Sequence, residues 1–149
     1  MLKPVEKIKQ EHEQIERELI ELETIMEDEA INYSNLIHTL RILTSLWEKH
    51  ERKENIIFPV LEKRNSFKIP VGKALNEHEE FKIHREAIIK AIEKGEEETK
   101  NKLEKEGKEL IRKLRDHINK EDEILYTLSK QESLDADEIK YITKKLRDI

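Results

Sequence analysis

Apolar residues recur at alternating three- and four-residue steps in four separate stretches of the chain. That spacing places them on one side of an α-helix, because a helix completes a turn in about 3.6 residues. Each apolar stripe also contains one histidine: His12, His50, His78 or His117. The pattern therefore predicts four amphipathic helices that pack their apolar faces together and bring one histidine each into the interior.

The composition agrees with a helical protein. Charged residues make up 42% of the 149 residues and hydrophobic residues 36%, with only three Gly and three Pro. A bias toward Glu, Lys, Leu and Ile is typical of long amphipathic helices, whereas strand-rich domains need more turn residues. The length suits one domain with a substantial core.

Local signals divide the chain into helices. Pro4 and Pro70 suit first helical turns, where a missing N–H costs nothing, and residues 94–101 form a charged turn that contains Gly95. Short connections favour antiparallel neighbours. We predict an all-α fold in a single domain, residues 1–149: an antiparallel up-down-up-down four-helix bundle with a short C-terminal fifth helix. The predicted helices span roughly residues 4–26, 33–62, 70–98, 101–130 and 135–148.

Several classes of function are excluded by the rest of the composition. The net charge is −5 and both signs are interspersed, so there is no basic face for nucleic acid. The absence of cysteine excludes disulfides, thiolate zinc sites and cysteine-ligated iron–sulfur clusters. The longest uncharged apolar run, residues 56–61, is too short to cross a bilayer, and no signal-peptide pattern opens the chain. We expect a soluble cytoplasmic protein that binds neither nucleic acid nor membranes; the sequence identifies no protein partner.

Two of the stripe histidines are followed four residues later by a glutamate, as His50 with Glu54 and His117 with Glu121. Each pair lies on one helix face, displaced about 6 Å along the axis. His12 lies 38 residues before the first pair, and His78 lies 39 residues before the second pair. Counting from the helix ends puts all four histidines in one layer, within about a turn of each other.

Two carboxylates facing each other in an apolar interior are strongly destabilised unless cations accompany them. Bound metal ions remove that penalty, and imidazole nitrogens complete the coordination. A nitrogen-rich set disfavours calcium and magnesium and suits iron, manganese, zinc or copper. In the arrangement we predict, two glutamates bridge two metal ions and four histidines are terminal ligands, which leaves positions for water, hydroxide, oxo or a diatomic ligand. The predicted metal ligands are His12, His50, Glu54, His78, His117 and Glu121.

Neighbouring polar residues receive other interpretations. His38 and His84 project away from the stripe, so a solvated or flanking position is the simpler reading. Glu11, Glu77 and Asp116 adjoin the ligand histidines in sequence but point toward solvated faces.

Glu51 lies about 100° around the helix from its neighbouring histidine and is a candidate supplementary ligand. Arg85 occupies a stripe position, where it either snorkels or pairs with a buried carboxylate. The apolar residues that flank the layer belong to the core and would keep the site dry: Trp47, Ile57, Phe81, Leu114 and Ile124.

At these residues the sequence resembles the hemerythrin-like family, the hemerythrin HHE cation-binding domain. The matching segments, residues 11–13, 50–62, 77–79 and 117–126, extend over nearly the whole chain. The resemblance implies a four-helix bundle with a non-haem di-iron centre, two iron ions with an oxo or hydroxo bridge, for which zinc or manganese could substitute. The small-molecule ligand it implies is oxygen, nitric oxide or peroxide.

The third helix departs from the oxygen-carrying hemerythrins, which usually show HxxxH there, since Lys82 stands four residues after the histidine. Metal binding is therefore implied more directly than reversible oxygen carriage. Ferritin-like di-iron proteins use Glu-x-x-His pairs, and none of the six histidines here is preceded in that way.

Three kinds of function follow from the sequence. The favoured one is a hemerythrin-like di-iron binding protein that binds or senses oxygen or a related small molecule, or handles iron. An alternative is a di-iron enzyme that turns over peroxide or nitric oxide or donates iron for cluster repair; it ranks lower because no obvious general acid or base is supplied. The second alternative is a structural helix bundle with a polar histidine layer.

Overall fold

A computed structural model describes residues 3–62, 71–131, 140 and 144, with side chains described for residues 6–56, 79–123, 140 and 144. This part of the chain contains helices and their connections and no strand, which confirms the all-α fold. The helices are α1 (Lys3–Glu27), α2 (Tyr33–Glu62), α3 (Val71–Lys94), α4 (Glu96–Lys102) and α5 (Lys108–Gln131). A π-helical turn, Leu103–Gly107, joins α4 to α5, and we call these three segments together the fourth rod.

Contacts between side chains show the relative directions of neighbouring helices. A residue early in one helix meets a residue late in the other, as antiparallel packing requires. These contacts place α1 antiparallel to α5, and α2 antiparallel to α3. The pairs are His12–Glu121 and Glu23–Arg115 for the first two helices, and Trp47–Phe81 and Thr44–Arg85 for the second two.

The core forms where the apolar stripes meet, as their spacing predicts. Burying one Leu or Ile side chain contributes about 1.5–3 kcal/mol, so the stripes stabilise the bundle and hold the helices at fixed levels relative to one another. The buried stripe residues include Ile8, Ile15, Leu19 and Leu22 of α1, Leu36, Leu40, Leu43 and Trp47 of α2, Phe81 and Ile88 of α3, and Leu103, Leu110 and Leu114 of the fourth rod.

The connection after α3 is shorter than the sequence suggests. The predicted extension of this helix to residue 98 is wrong, because α3 ends at Lys94 and α4 follows after Gly95 alone. Gly95 has a φ of 113°, a conformation that glycine adopts without steric cost, so one residue is enough to redirect the chain. The buried Thr99 hydroxyl then donates to the Ala91 carbonyl oxygen at 3.1 Å, which ties the first turn of α4 to the end of α3.

The π-helical turn adjusts the phase of the fourth rod. A π-helical turn holds an extra residue, so the faces before and after it are rotated relative to each other. Leu103 and Leu110 are both buried on either side of it. Gly107 closes the turn against α1, since a Cβ added there would lie only 3.1 Å from Met26 Sδ. The same turn carries Glu106, which contacts His84 of α3.

Arg85 shows how a charged residue is accommodated in an apolar stripe. Its guanidinium donates to Thr44 Oγ1 and to Glu86 Oε1, each at 3.2 Å. Because Glu86 is exposed, the charge reaches the surface, so Arg85 snorkels and does not pair with a buried carboxylate.

Some predictions fall outside the described residues. The fifth helix, predicted at 135–148, is described only at Lys140 and Lys144, both helical. The backbone of His78 belongs to α3, but its side chain is not among those described. The extent of the single domain, residues 1–149, stays a prediction. Among the helices of the described part, none has the length and apolar character needed to cross a membrane.

Candidate metal centre

Four buried side chains from α2 and α5 converge in the interior of the bundle. One nitrogen or carboxylate oxygen from each of His50, Glu54, His117 and Glu121 lies within 4.8 Å of the others. None of these residues is more than 5% exposed. The two His-x-x-x-Glu pairs therefore face each other across the bundle, as the helical spacing predicts.

The imidazole Nε2 atoms point toward the two carboxylates. His50 Nε2 lies 2.7 Å from Glu54 Oε1 and 3.0 Å from Glu121 Oε2. His117 Nε2 lies 2.9 Å from Glu54 Oε1 and also contacts Glu121. His12 brings a third Nε2 from α1, 3.1 Å from Glu121 Oε2. Five of the six predicted ligands thus meet in one layer, and we call these five side chains the His–Glu cluster.

Carboxylates hold two of these imidazoles from behind. His12 Nδ1 lies 2.7 Å from Asp122 Oδ1, and His50 Nδ1 lies 3.3 Å from Glu11 Oε1. Lys53 donates to the second oxygen of Glu11. A carboxylate at one ring nitrogen fixes the orientation of the ring and directs the other nitrogen inward, where its lone pair can bind a metal ion once its proton has left. This is the arrangement that metal-ligating histidines usually have.

Sequence reasoning missed both supporting carboxylates. The prediction of a solvated Glu11 is wrong, because the residue is only 7% exposed and its burial is compensated by His50 and Lys53. Asp122 follows a predicted ligand directly, and no sequence signal distinguishes it from other surface carboxylates. By contrast, Asp116 is exposed and pairs with an arginine of its own helix, as expected.

The buried carboxylates of the cluster strongly favour positive charge beside them. Burial alone would lower the pKa of His117, but hydrogen bonds and charges of Glu121 and Glu54 raise it to about 10. Burial likewise opposes protonation of His50, yet the charge of Glu121 and its hydrogen bonds raise its pKa well above the ordinary 6.5. Burial raises the pKa of Glu121, but the charge of His50 and several hydrogen bonds bring it well below 4.5. In the metal-free protein, protonated imidazoles thus compensate the buried carboxylates.

This donor set fits a metal cation. A cation between the carboxylates would replace the imidazolium protons as the compensating charge, and the released Nε2 lone pairs would become ligands. The surroundings are apolar: the Trp47 ring lies 4.9 Å from the ring of His117 and 5.6 Å from that of Phe81. Trp47, Phe81 and Leu114 are each less than 5% exposed, so they keep water from that side of the cluster.

The other candidate positions lie apart from the cluster or are not described. His38 is exposed, as predicted. His84 also lies outside the cluster, on the flank, but it is partly buried and has two polar partners. Within the described side chains, Glu51 is not among the converging groups. The ligand role of His78 stays a prediction because its side chain is not described.

Comparison with known proteins gives an independent view of the same residues. The model of the hemerythrin HHE cation-binding domain matches residues 3–129. No curated protein and no solved structure gives a significant match. The matched range contains every residue of the His–Glu cluster and runs from the start of α1 into the last turns of α5. The chain therefore belongs to the family of hemerythrin HHE cation-binding domains.

Proposed function

We propose that the His–Glu cluster holds two metal ions, with iron as the native metal, and that the protein uses them to bind or sense oxygen or a related small molecule. Nitric oxide and peroxide are the other ligands of this class. The observation that supports the proposal most strongly is the orientation of the imidazoles. Their Nε2 atoms converge on two buried carboxylates, while outer carboxylates hold the Nδ1 atoms of His12 and His50. The cytoplasmic location expected from the sequence stays a prediction.

A metal site explains the cluster better than a purely structural polar layer does. Buried ionic groups are weak contributors to stability, because their desolvation offsets much of their mutual attraction. Five such groups in one layer, each less than 6% exposed, would therefore be a poor way to stabilise a bundle. A bound cation removes this disadvantage, since its binding free energy becomes part of the folding free energy.

The contacts suggest how the ligands divide their roles. Glu54 and Glu121 each contact both His50 and His117, so each carboxylate lies between two imidazoles and is placed to bridge two ions. His12, His50 and His117 then serve as terminal ligands, together with the predicted His78. Bound iron would supply open coordination positions and one-electron redox chemistry. The chain itself orients the imidazoles and excludes bulk water.

The test is metal analysis of protein reconstituted with ferrous iron without oxygen, followed by an absorption spectrum before and after exposure to air. We expect about two iron ions per chain and a new absorption band in air. Glu121→Gln preserves the shape of a bridging side chain and removes its charge, so it should lose at least half of the iron. His38→Gln changes an exposed histidine of α2 and should bind as much iron as the wild type.

The outcomes separate the alternatives. Wild-type protein that holds less than about one iron per chain and does not change its spectrum in air would refute the proposal. If the protein binds less than about one iron per chain and a chelator leaves its melting temperature unchanged, the structural bundle is favoured. His78→Gln with full iron content would remove that residue from the ligand set and leave the rest intact.

A further inference from the structure

A small cavity lies next to His117, on the side that faces Trp47. Its volume is about 10 Å³, which is about the space that one water-sized molecule requires. The cavity connects the edge of the His–Glu cluster with side chains of α3 and α5. Its lining residues are Trp47, Phe81, His84, Leu110, Lys113, Leu114 and His117.

The exposure of the lining side chains increases in one direction. Trp47, Phe81 and Leu110 are 2%, 4% and 1% exposed, respectively. The side chains of His84 and Lys113 are 13% and 32% exposed. Trp47 lies against the ring of His117 and Phe81 packs on Trp47, so these two residues form the inner end of the cavity. The more exposed His84 and Lys113 form the end nearest the surface.

Lys113 closes the surface end through two polar contacts. Its Nζ lies 3.1 Å from His84 Nε2 and 3.1 Å from Glu80 Oε2. Because an ammonium group only donates hydrogen bonds, Nε2 is the acceptor of this contact, and Nδ1 is the donor nitrogen of the ring. That Nδ1–H donates to Glu106 in the π-helical turn. His84 is therefore anchored to the fourth rod, and Lys113 rests on it.

These contacts hold Lys113 only weakly. The side chains of Lys113 and Glu80 are 32% and 46% exposed, and solvent screens an ion pair at such positions. Lysine also has a long, flexible stem with several rotatable bonds. Lys113 can therefore swing into solvent while the packed walls of Trp47, Phe81 and Leu110 keep their places.

We propose that Lys113 is a gate, and that small neutral molecules reach the His–Glu cluster between α3 and α5 when its side chain swings outward. The apolar walls exclude ions, and the water-sized cavity admits only molecules of about two or three atoms. This proposal rests on the proposed function only in taking the His–Glu cluster, at the inner end of the route, to be a metal site. The route itself is a property of the chain without metal.

Trp47 makes the route measurable in the metal-free protein. It is the only tryptophan of the sequence and it lines the cavity, so its fluorescence reports what enters. The experiment measures fluorescence lifetimes with dissolved oxygen and, separately, with iodide as quenchers. Lys113→Ala should raise the bimolecular quenching constant for oxygen by about twofold or more, because it removes the closing side chain. The constant for iodide should not rise.

Arg112→Ala is the matched control. Arg112 is the residue of α5 just before Lys113, is 58% exposed, and pairs with Glu109 and Asp116 of its own helix. It should leave both constants at the wild-type values. A second variant, Leu110→Phe, enlarges a buried wall of the cavity and should lower the oxygen constant without changing the helical content seen by circular dichroism.

Two results would overturn the gate. One is an oxygen quenching constant in Lys113→Ala equal to that of the wild type. The other is a parallel rise for oxygen and iodide, which would indicate general loosening of the bundle. Failure of the protein to bind iron would refute the proposed function but leave these metal-free measurements unaffected, so the two failures are distinguishable.

Discussion

Metal-free protein is expected to lose stability as the pH rises from about 7 to about 9. The pKa of His117 is raised to about 10 in the folded state, against an ordinary value of 6.5. Between these values the folded chain keeps a proton that the unfolded chain has released, so a higher pH favours unfolding. The stabilisation from this group is complete below the ordinary pKa and is lost as the pH passes through the raised one.

The magnitude follows from the number of protons retained. One proton held only by the folded state changes the free energy of unfolding by about 1.4 kcal/mol per pH unit. His50 also has a pKa well above its ordinary value, so it adds a second slope of the same sign. Over two pH units the expected loss from His117 alone is about 2.5–3 kcal/mol, and His50 adds to it. A domain typically has a total stability of about 5–15 kcal/mol, so the effect should be large.

The assay is urea unfolding followed by far-ultraviolet circular dichroism in the presence of a chelator, at several pH values. His117→Gln should reduce the slope by about 1.4 kcal/mol per pH unit, since it removes one of the two protons. His38→Gln, which changes an exposed histidine, should keep the wild-type slope. A wild-type stability that stays constant or increases over this range would refute the reasoning.

Three further predictions concern the metal, the π-helical turn and the α1–α5 contact. Metal at about one hundred times its dissociation constant should raise the free energy of unfolding by about 2.7 kcal/mol and the melting temperature by about 5–10 °C. A thermal unfolding scan with and without chelator checks this, and equal melting temperatures would contradict it. Gly107→Ala should stabilise the protein by up to about 1 kcal/mol in urea unfolding, through helix propensity. The added Cβ would come closest to the flexible end of Met26, so a loss of stability would show that this end cannot move. Arg115→Ala removes ion pairs with Glu16 and Glu23 and should lower the free energy of unfolding by about 1 kcal/mol or less, because all three side chains are more than 30% exposed. This loss of stability should decrease as salt is added, and a loss that does not depend on salt would point to packing instead.

The linear order of residues was enough to predict the helices and the level of the site. Helical periodicity depends only on spacing along the chain, so the apolar stripes could be assigned before the neighbours of each helix were known. For the same reason His12, His50 and His117 could be placed in one layer by counting residues from the helix ends. Their convergence with Glu54 and Glu121 agrees with that count. The end of α3 was predicted four residues too late because residues 95–98 were assigned to this helix, whereas Gly95, with a φ of 113°, ends it and α4 begins at Glu96.

The contacts that support the layer could be identified only from the packed structure. Glu11 and Asp122 hold the outer nitrogens of two imidazoles, yet neither differs in sequence from the many other carboxylates of this chain. Which carboxylate meets which histidine depends on the rotation of α1 against α2 and α5, and that rotation results from core packing across all the helices. The same applies to His84, which meets Glu106 and Lys113 only because α3 lies beside the π-helical turn and α5. Spacing along one helix identifies the groups on a face, whereas the partner of each group depends on the neighbouring helix.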